Sequence, residues 1–389
     1  MVKTGLDKYS KRILPLIRNK KVAVLCHAPS INSSYRHILD IIMEGDSVQL
    51  SAIFGPQHGL FGQTQDNMIE WEGYTDPKYR VPVYSLYGKT RKPTARMMEG
   101  TEVFLVDLQD VGSRPYTYVW TLKNCMEVCA EKSIPLVLID RPNPLGGEKR
   151  DGAILNRNYF TFVGGASIPL CHGMTMGELA LWMNDKENIN CSLNIIKMEG
   201  WNRAMTWKDT GLPWVLPSPN MPSVNTTMVY PGMVLIEALD ISEGRGTTLP
   251  FELIGAPFID FDKIIDELSR MKIPGCAFRL HNFIPTFHKF TDEYCNGMQI
   301  HITDYNQYEP VYTAACVFKK IKDISGKLEF KNPPYEYEEE LMPFDILSGD
   351  NSLRMTISDN GSLNHLRERW RNDIKQFNRE FKDFSLYES

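Results

Sequence analysis

Residues 103–118 read VFLVDLQDVGSRPYTY. Val103–Val106 is a short apolar, β-branched run, which predicts a strand buried on both faces. It empties into Asp107, Gln109, Asp110, Gly112, Arg114, Tyr116 and Tyr118 before an apolar helical pattern resumes near Trp120. A buried strand that ends in acids, an arginine, a glycine and two tyrosines fits a site at the carboxyl edge of an open α/β sheet. The plainer alternative is a polar loop in which Asp110 caps the next helix and pairs with Arg114.

The same pattern recurs on both sides of this stretch. Lys21–Leu25 predicts a strand ending in Cys26-His27; Val48–Phe54 predicts one ending in Gly55-Pro56-Gln57-His58. Val81–Leu86 predicts a third, followed by a helix opened by Pro93, and Leu136–Ile139 a further one that ends in Asp140-Arg141-Pro142-Asn143. Strands alternating with helices predict a Rossmann-like, mostly parallel sheet with helices on both faces. Strand exits in such sheets share one edge, so distant segments meet in one crevice. Thr175 and Glu178 form a capping box for a helix past Trp182, which leaves His172 unexplained. The prolines of 214–222 forbid helix around Asn220. A boundary near Val229–Gly232 divides the chain into an amino-terminal domain, 1–228, and a smaller α+β domain, 229–389, with a cleft between them. In the second, glycines flank Arg245 just after Glu243, so backbone can approach a ligand closely. The acid run Glu336–Glu340 reads as a solvated face.

At 389 residues the chain is long enough for about two domains. A net charge of −5 gives no electrostatic case for nucleic acid or anionic lipid. The eight cysteines include no CxxC pair, so buried thiols are expected rather than a disulfide framework or a zinc site. No Gly-x-Gly-x-x-Gly follows the first strand and no full Gly-x-x-x-x-Gly-Lys-Ser/Thr phosphate loop occurs, so dinucleotide and P-loop roles lack their phosphate-binding glycines. No cofactor and no metal are expected. The basic amino terminus has no long apolar run, which predicts neither a signal peptide nor a membrane span. The expected location is cytoplasmic as the sequence stands, or periplasmic or secreted if an export segment has been removed. Oligomeric state is left open.

The strings FGPQHGLFG, YSLYGKTRKPT, DLQDVGSRPYTYVWTL, DRPNPLGG, PLCHGMTMGELA, LPWVLPSPNMPS, YPGMVLIEALDISEGRGTTLPFELIGAPF and FIPTFHKF resemble, in this order, the NamZ family. That family was long catalogued as a domain of unknown function and is associated with exo-β-N-acetylmuramidase activity. The resemblance spans about Val22 to Ile302, with weaker cover beyond. It implies two domains, a cleft between them, and removal of terminal N-acetylmuramic acid from peptidoglycan fragments during cell-wall turnover or recycling. Two departures stand out. Gln57 occupies a place where many members carry a glutamate that the resemblance implicates in catalysis, and Asp151-Gly152-Ala153 replaces a common Glu-Gly-Pro.

Glycoside hydrolysis needs a proton donor and a second group that attacks or stabilises the anomeric carbon. Carboxyl groups about 5–5.5 Å apart imply retention and about 6.5–9.5 Å inversion, and some families substitute Tyr or the substrate's acetamido group. An amide cannot transfer a proton as a carboxyl group does, so Gln57 moves that duty elsewhere. The acids at strand exits are Asp66, Asp107, Asp110 and Asp140, with Glu243 facing them from the second domain; Asp110 lies furthest into its loop and is preferred. Asp110, Gln57, His58, Tyr116 and Glu243 are therefore the candidate catalytic residues. Arg114, Arg141 and Arg245 are candidates for the lactyl carboxylate, which a planar guanidinium can hold bidentately. Asn143, His172, Asn220 and Tyr118 complete the candidate substrate contacts. Only one of Tyr116 and Tyr118 is expected to face the cleft unless the backbone turns. Two other classes are weighed: a sugar-binding protein that lost its acid at position 57, and, ranked last, a metal-dependent hydrolase using His27, His58, Asp107 and Asp110.

Overall fold

A computed structural model describes residues 1–45, 47–65 and 69–388. Its strands are β1 (Lys21–Cys26), β2 (Gln49–Gly55), β3 (Tyr74–Thr75), β4 (Pro82–Ser85), β5 (Val103–Asp107), β6 (Leu136–Ile139), β7 (Asp151–Ile154), β8 (Pro169–Cys171), β9 (Leu193–Ile196), β10 (Leu253–Ala256), β11 (Cys276–Leu280) and β12 (Asn296–Ile302). The main sheet has the order β3-β4-β2-β1-β5-β6-β9, and every neighbouring pair is parallel except the edge pair β3–β4. All five residues of β5 are buried, as its unbroken apolar run requires. From β1 the chain first winds outward to β2 and β4, then crosses back to β5, β6 and β9. This is the doubly wound Rossmann-like arrangement, with its switch point between β1 and β5.

The crevice at that switch point is filled by the protein itself. His27 Nε2 accepts the Gln109 N–H at 2.8 Å, and Ser30 Oγ donates to the Asp107 carbonyl at 2.6 Å. Arg141 Nη2 donates to Asp107 Oδ2 at 2.8 Å and to the Ile31 carbonyl at 2.9 Å. Open space is displaced toward the exit of β2.

A second, three-stranded antiparallel sheet, β10-β12-β11, lies against helices Asp262–Met271 and Pro310–Ser325. Helix Val224–Met233 runs through residue 229 and packs closely on Pro310–Ser325, so the two halves of the chain share one apolar core. Gly232 permits that approach: a Cβ there would lie 2.1 Å from the Pro310 carbonyl oxygen. Helix Leu363–Phe381 then returns to the first half, where Phe377 meets Trp182 at 4.7 Å between ring centroids. Beyond it, the Tyr387 hydroxyl donates to Asp140 Oδ2 at 2.6 Å, behind the β6 exit.

The helix expected from Pro93 does not form. Residues 93–100 make turns, closed by Met98 N–H to the Thr94 carbonyl and ended by Gly100 at φ 70°. So short a segment does not recover the cost of helix nucleation. All eight cysteines are free thiols, seven of them buried and Cys276 half-buried. Among the described residues no helix is long and apolar enough to cross a membrane.

Gly232→Ala forces the two packed helices apart. The expected cost is roughly 1–3 kcal/mol, as for other overpacked cores, read as a lower midpoint in denaturant unfolding. An unchanged midpoint would show that the helices separate freely.

Candidate functional site

The β2 exit is shaped by a close approach. A Cβ on Gly55 would sit 2.7 Å from the Trp71 ring, whose Nε1 donates to the Pro56 carbonyl at 3.1 Å. His58 then takes a left-handed conformation, φ 69°, with its Nδ1–H donating to the Thr64 carbonyl at 2.8 Å. The turn presents Gln57 and His58 to a narrow cleft shared with Pro115–Tyr118, Ser218, Asn220 and Met221, and, from the second half, Tyr230, Glu237, Arg245, Phe251, Tyr335 and Glu336. The Gln57 side-chain carbonyl accepts the Thr117 hydroxyl at 2.6 Å, and its backbone carbonyl accepts the Tyr118 hydroxyl at 3.2 Å.

Both Tyr116 and Tyr118 line this cleft. The expectation that only one would face it fails, because residues two apart already share a face of an extended chain; here the chain also turns, Tyr116 N–H to the Ser113 carbonyl at 3.0 Å, and enters helix Tyr118–Glu131. Their rings lie 4.6 Å apart. Tyr116 meets Tyr230 at 5.9 Å and Tyr230 meets Phe251 at 4.8 Å, giving an unbroken aromatic wall.

Charged groups border the cleft beside these rings, with the Arg245 guanidinium over the Phe251 ring at 4.9 Å. Glu237 accepts the Tyr335 hydroxyl at 2.6 Å and Arg245 Nη2 at 2.8 Å. Arg245 Nη1 also donates to Glu243, 3.1 Å away, and Lys289 Nζ approaches Glu243 at 3.0 Å. Burial opposes the Glu243 charge, yet Lys289, His288 and Arg245 hold its carboxyl well below the usual carboxylate range. Lys289 is itself drawn down to about 8, by burial that Glu243 only partly offsets.

Glu336 corrects the reading of 336–340 as a solvated face. It is 6% exposed, borders the cleft, and accepts the Tyr87 hydroxyl at 3.0 and 3.3 Å on its two oxygens. Burial and the nearby Glu237 charge raise its carboxyl to about 7, against the opposing pull of Tyr87, Arg91 and Arg245. Charge count alone hides it. The available signal was the rigid Pro333-Pro334-Tyr335 lead-in, which pins the first acid of the run to the core.

Of the other candidates from the sequence, only Asn220 lies in the cleft lining among the described residues. Asp110 is 3% exposed; its Oδ2 accepts the Gly112 N–H at 2.7 Å and His172 Nε2–H at 3.1 Å. His172 Nδ1 accepts the Met174 N–H, which fixes that tautomer. Asn143 holds its own loop, donating to the Met174 carbonyl and accepting the Leu145 N–H, both at 2.9 Å. Asn220 borders the cleft and donates to the Gln65 carbonyl at 2.8 Å. Asp140 is raised to about 6 by burial, opposed by hydrogen bonds from Tyr387, Gly177 and Thr175. Arg141 is occupied by Asp107. Arg114 is fully buried and donates to the carbonyls of Ala153, Ile168 and Leu347 at 2.9, 3.0 and 2.9 Å. Asp66 lies outside the described residues. Among those described, no three His, Cys, Asp or Glu side chains converge as a metal site requires.

The cleft holds about 40 Å³ of space, far below the roughly 300–1,000 Å³ of a ligand-filled pocket. A sugar therefore enters only when its walls part. Fold and cleft together define an α/β protein with a narrow, aromatic and acidic site suited to a small polar ligand. The chain belongs to the NamZ exo-β-N-acetylmuramidase family: the amino-terminal family description matches residues 22–225 and the carboxy-terminal one residues 228–387. It is 41% identical to the peptidoglycan β-N-acetylmuramidase NamZ of Bacillus subtilis (strain 168), across 99% of this chain and 91% of that protein. Two crystal structures of DUF1343 family proteins from Bacteroides fragilis NCTC 9343 share the fold. One superimposes with a TM-score of 0.89 at 31% identity and the other with 0.78 at 28%, each covering 100% of this chain and 99% of theirs.

Arg114→Lys tests whether that arginine is a fastener or a substrate contact. A lysine cannot serve three carbonyls in a fixed fork, and each buried acceptor left without a donor costs about 1–3 kcal/mol. Lower stability is expected, with the preference for muramic over glucosamine substrate unchanged. A shifted preference at full stability would return Arg114 to the binding site.

Proposed function

We propose that this chain is a glycoside hydrolase of the exo type, releasing terminal N-acetylmuramic acid from peptidoglycan fragments in cell-wall turnover or recycling. The observation that carries this reading is the narrow cleft, lined by Tyr116, Tyr118, Tyr230 and Phe251 together with Glu237 and Glu336. So narrow a cleft accepts a chain end and excludes the middle of a long strand. Ring faces take the apolar side of a pyranose, and the carboxyl groups supply what glycosidic bond cleavage needs. The near full-length likeness to the Bacillus subtilis enzyme supports the same substrate.

Within this reading Gln57 is a positioning group. Its amide can hold a polar substituent of the sugar such as the acetamido group, while proton transfer falls to a carboxyl group elsewhere. Asp110 orients the loop through Gly112 and His172. Arg245, already bracketed by Glu237 and Glu243, fixes the Glu237 carboxylate toward the cleft.

The test is incubation with a defined muramyl–glucosaminyl disaccharide and mass analysis of the products. Free N-acetylmuramic acid is expected, with no internal cuts in long glycans. Failure to release any sugar over roughly pH 4–9, the span in which carboxyl and imidazole groups titrate, would make this a saccharide-binding protein instead. Gln57→Glu is expected to leave turnover unchanged or lower it, because it adds a negative charge beside two carboxyl groups. An inactive parent rescued by Gln57→Glu would overturn the assignment.

A further inference from the structure

The turn that seals the cleft also carries an acid into it. Residues 335–338 close on themselves, Tyr335 N–H and Glu338 N–H each bonding the other residue's carbonyl at 2.9 Å. Glu336 and Tyr337 both adopt positive φ, 45° and 70°, an arrangement that non-glycine residues rarely adopt in sequence. The turn grips the first half of the chain from outside. The Tyr337 ring lies under the Arg91 guanidinium at 3.6 Å, and its hydroxyl donates to Glu70 at 3.0 Å. From inside, Tyr335 donates to Glu237 while Glu336 receives the hydroxyl of Tyr87, which follows β4. Tyr337 is thus the exposed latch and Glu336 the buried bolt.

We propose, resting on the glycosidase reading above, that Glu336 is the proton donor to the leaving glycosidic oxygen, and that closure of the 335–338 turn brings it there. The neutral carboxyl group gives its proton to the bridging oxygen as the bond from that oxygen to the anomeric carbon breaks. The bonding electron pair goes to the oxygen, and the second sugar leaves as an alcohol. Water supplies a hydroxyl to the anomeric carbon, and its remaining proton restores an acid in the site. Glu237, held by Arg245 and Tyr335, is the second carboxyl group of the cleft.

The groups facing Glu336 agree with this role. Tyr87 is the hydrogen-bond donor; Glu237 and Tyr230 face it from helix Val224–Met233 and the turn that follows; Arg91 and Arg245 lie on the two flanking loops; Tyr335 and Tyr337 are its chain neighbours. Burial and Glu237 hold its carboxyl near 7, so the protonated form is present in neutral solution and is lost as pH rises through that value. Tyr87 lowers it by bonding the charged form, so removing that hydroxyl must raise it further.

The experiment compares the parent, Glu336→Gln and Tyr87→Phe on the disaccharide and on an aryl N-acetylmuraminide, whose phenolate leaves without a proton. For Glu336→Gln the expected loss is about 10²–10⁴-fold on the disaccharide, a much smaller loss on the aryl glycoside, and disappearance of the alkaline limb of the pH profile. For Tyr87→Phe the alkaline limb should move to higher pH. An active parent whose Glu336→Gln variant keeps full disaccharide turnover would remove Glu336 as the donor. So would equal losses on both substrates with the alkaline limb intact. A parent inactive on both substrates would instead bring down the glycosidase reading, and this inference with it.

Discussion

A single buried cation fastens the structure at the place where its parts meet. Arg114 sits on the loop leaving β5, and its two terminal nitrogens donate to three backbone carbonyls from residues 153, 168 and 347. Burial draws the guanidinium down to about 9, only partly offset by the charge of Asp350. Gly349 leaves no room for displacement, since a Cβ there would lie 2.9 Å from Nη2. Such a charge is costly unless every donor finds an acceptor at once. The hairpin β7–β8, the β5 loop and the carboxy-terminal region are therefore held in one mutual arrangement. The tyrosines four residues and fewer along the same loop inherit that arrangement.

Beside this fastener runs a graded line of charge, from Lys289 through Glu243 and Arg245 to Glu237. The far end is dry and fully paired; the near end opens on the cleft. Glu237 is thereby aimed by Arg245 and Tyr335, which share the cleft lining with it. Burial, and after it the nearby Glu237, raises the carboxyl group of Glu336 on the facing turn.

Much of the fold was legible in the sequence because its signals are local. Unbroken apolar runs such as Val103–Val106 and Leu136–Ile139 can only be interior strands, and their polar exits mark one edge. The capping box at Thr175 and Glu178 formed as read. The site was less legible, since it depends on direction more than composition. Tyr116 and Tyr118 were expected to be divided between cleft and interior, but a turn and a helix start set both rings in the cleft lining. Asp110 and Arg114 have the residue types of a site, and the structure places them behind the cleft lining, Asp110 against Gly112 and His172 and Arg114 against three backbone carbonyls. Glu336 was hidden by its acidic neighbours, because only the pairing with Tyr87, 249 residues distant in sequence, gives it meaning.

The bond between Tyr387 and Asp140 spans 247 residues of sequence. Asp140 ends an interior strand and is fully buried, so the central sheet carries a carboxyl group short of one donor until a much later segment has been synthesised. On the ribosome the first half of the chain would emerge with its strands complete but this acid incompletely satisfied. Vectorial synthesis favours early folding of amino-terminal units, whereas this contact defers the final tightening of the first sheet. The order in which the protein is made and the order in which it becomes stable are therefore different.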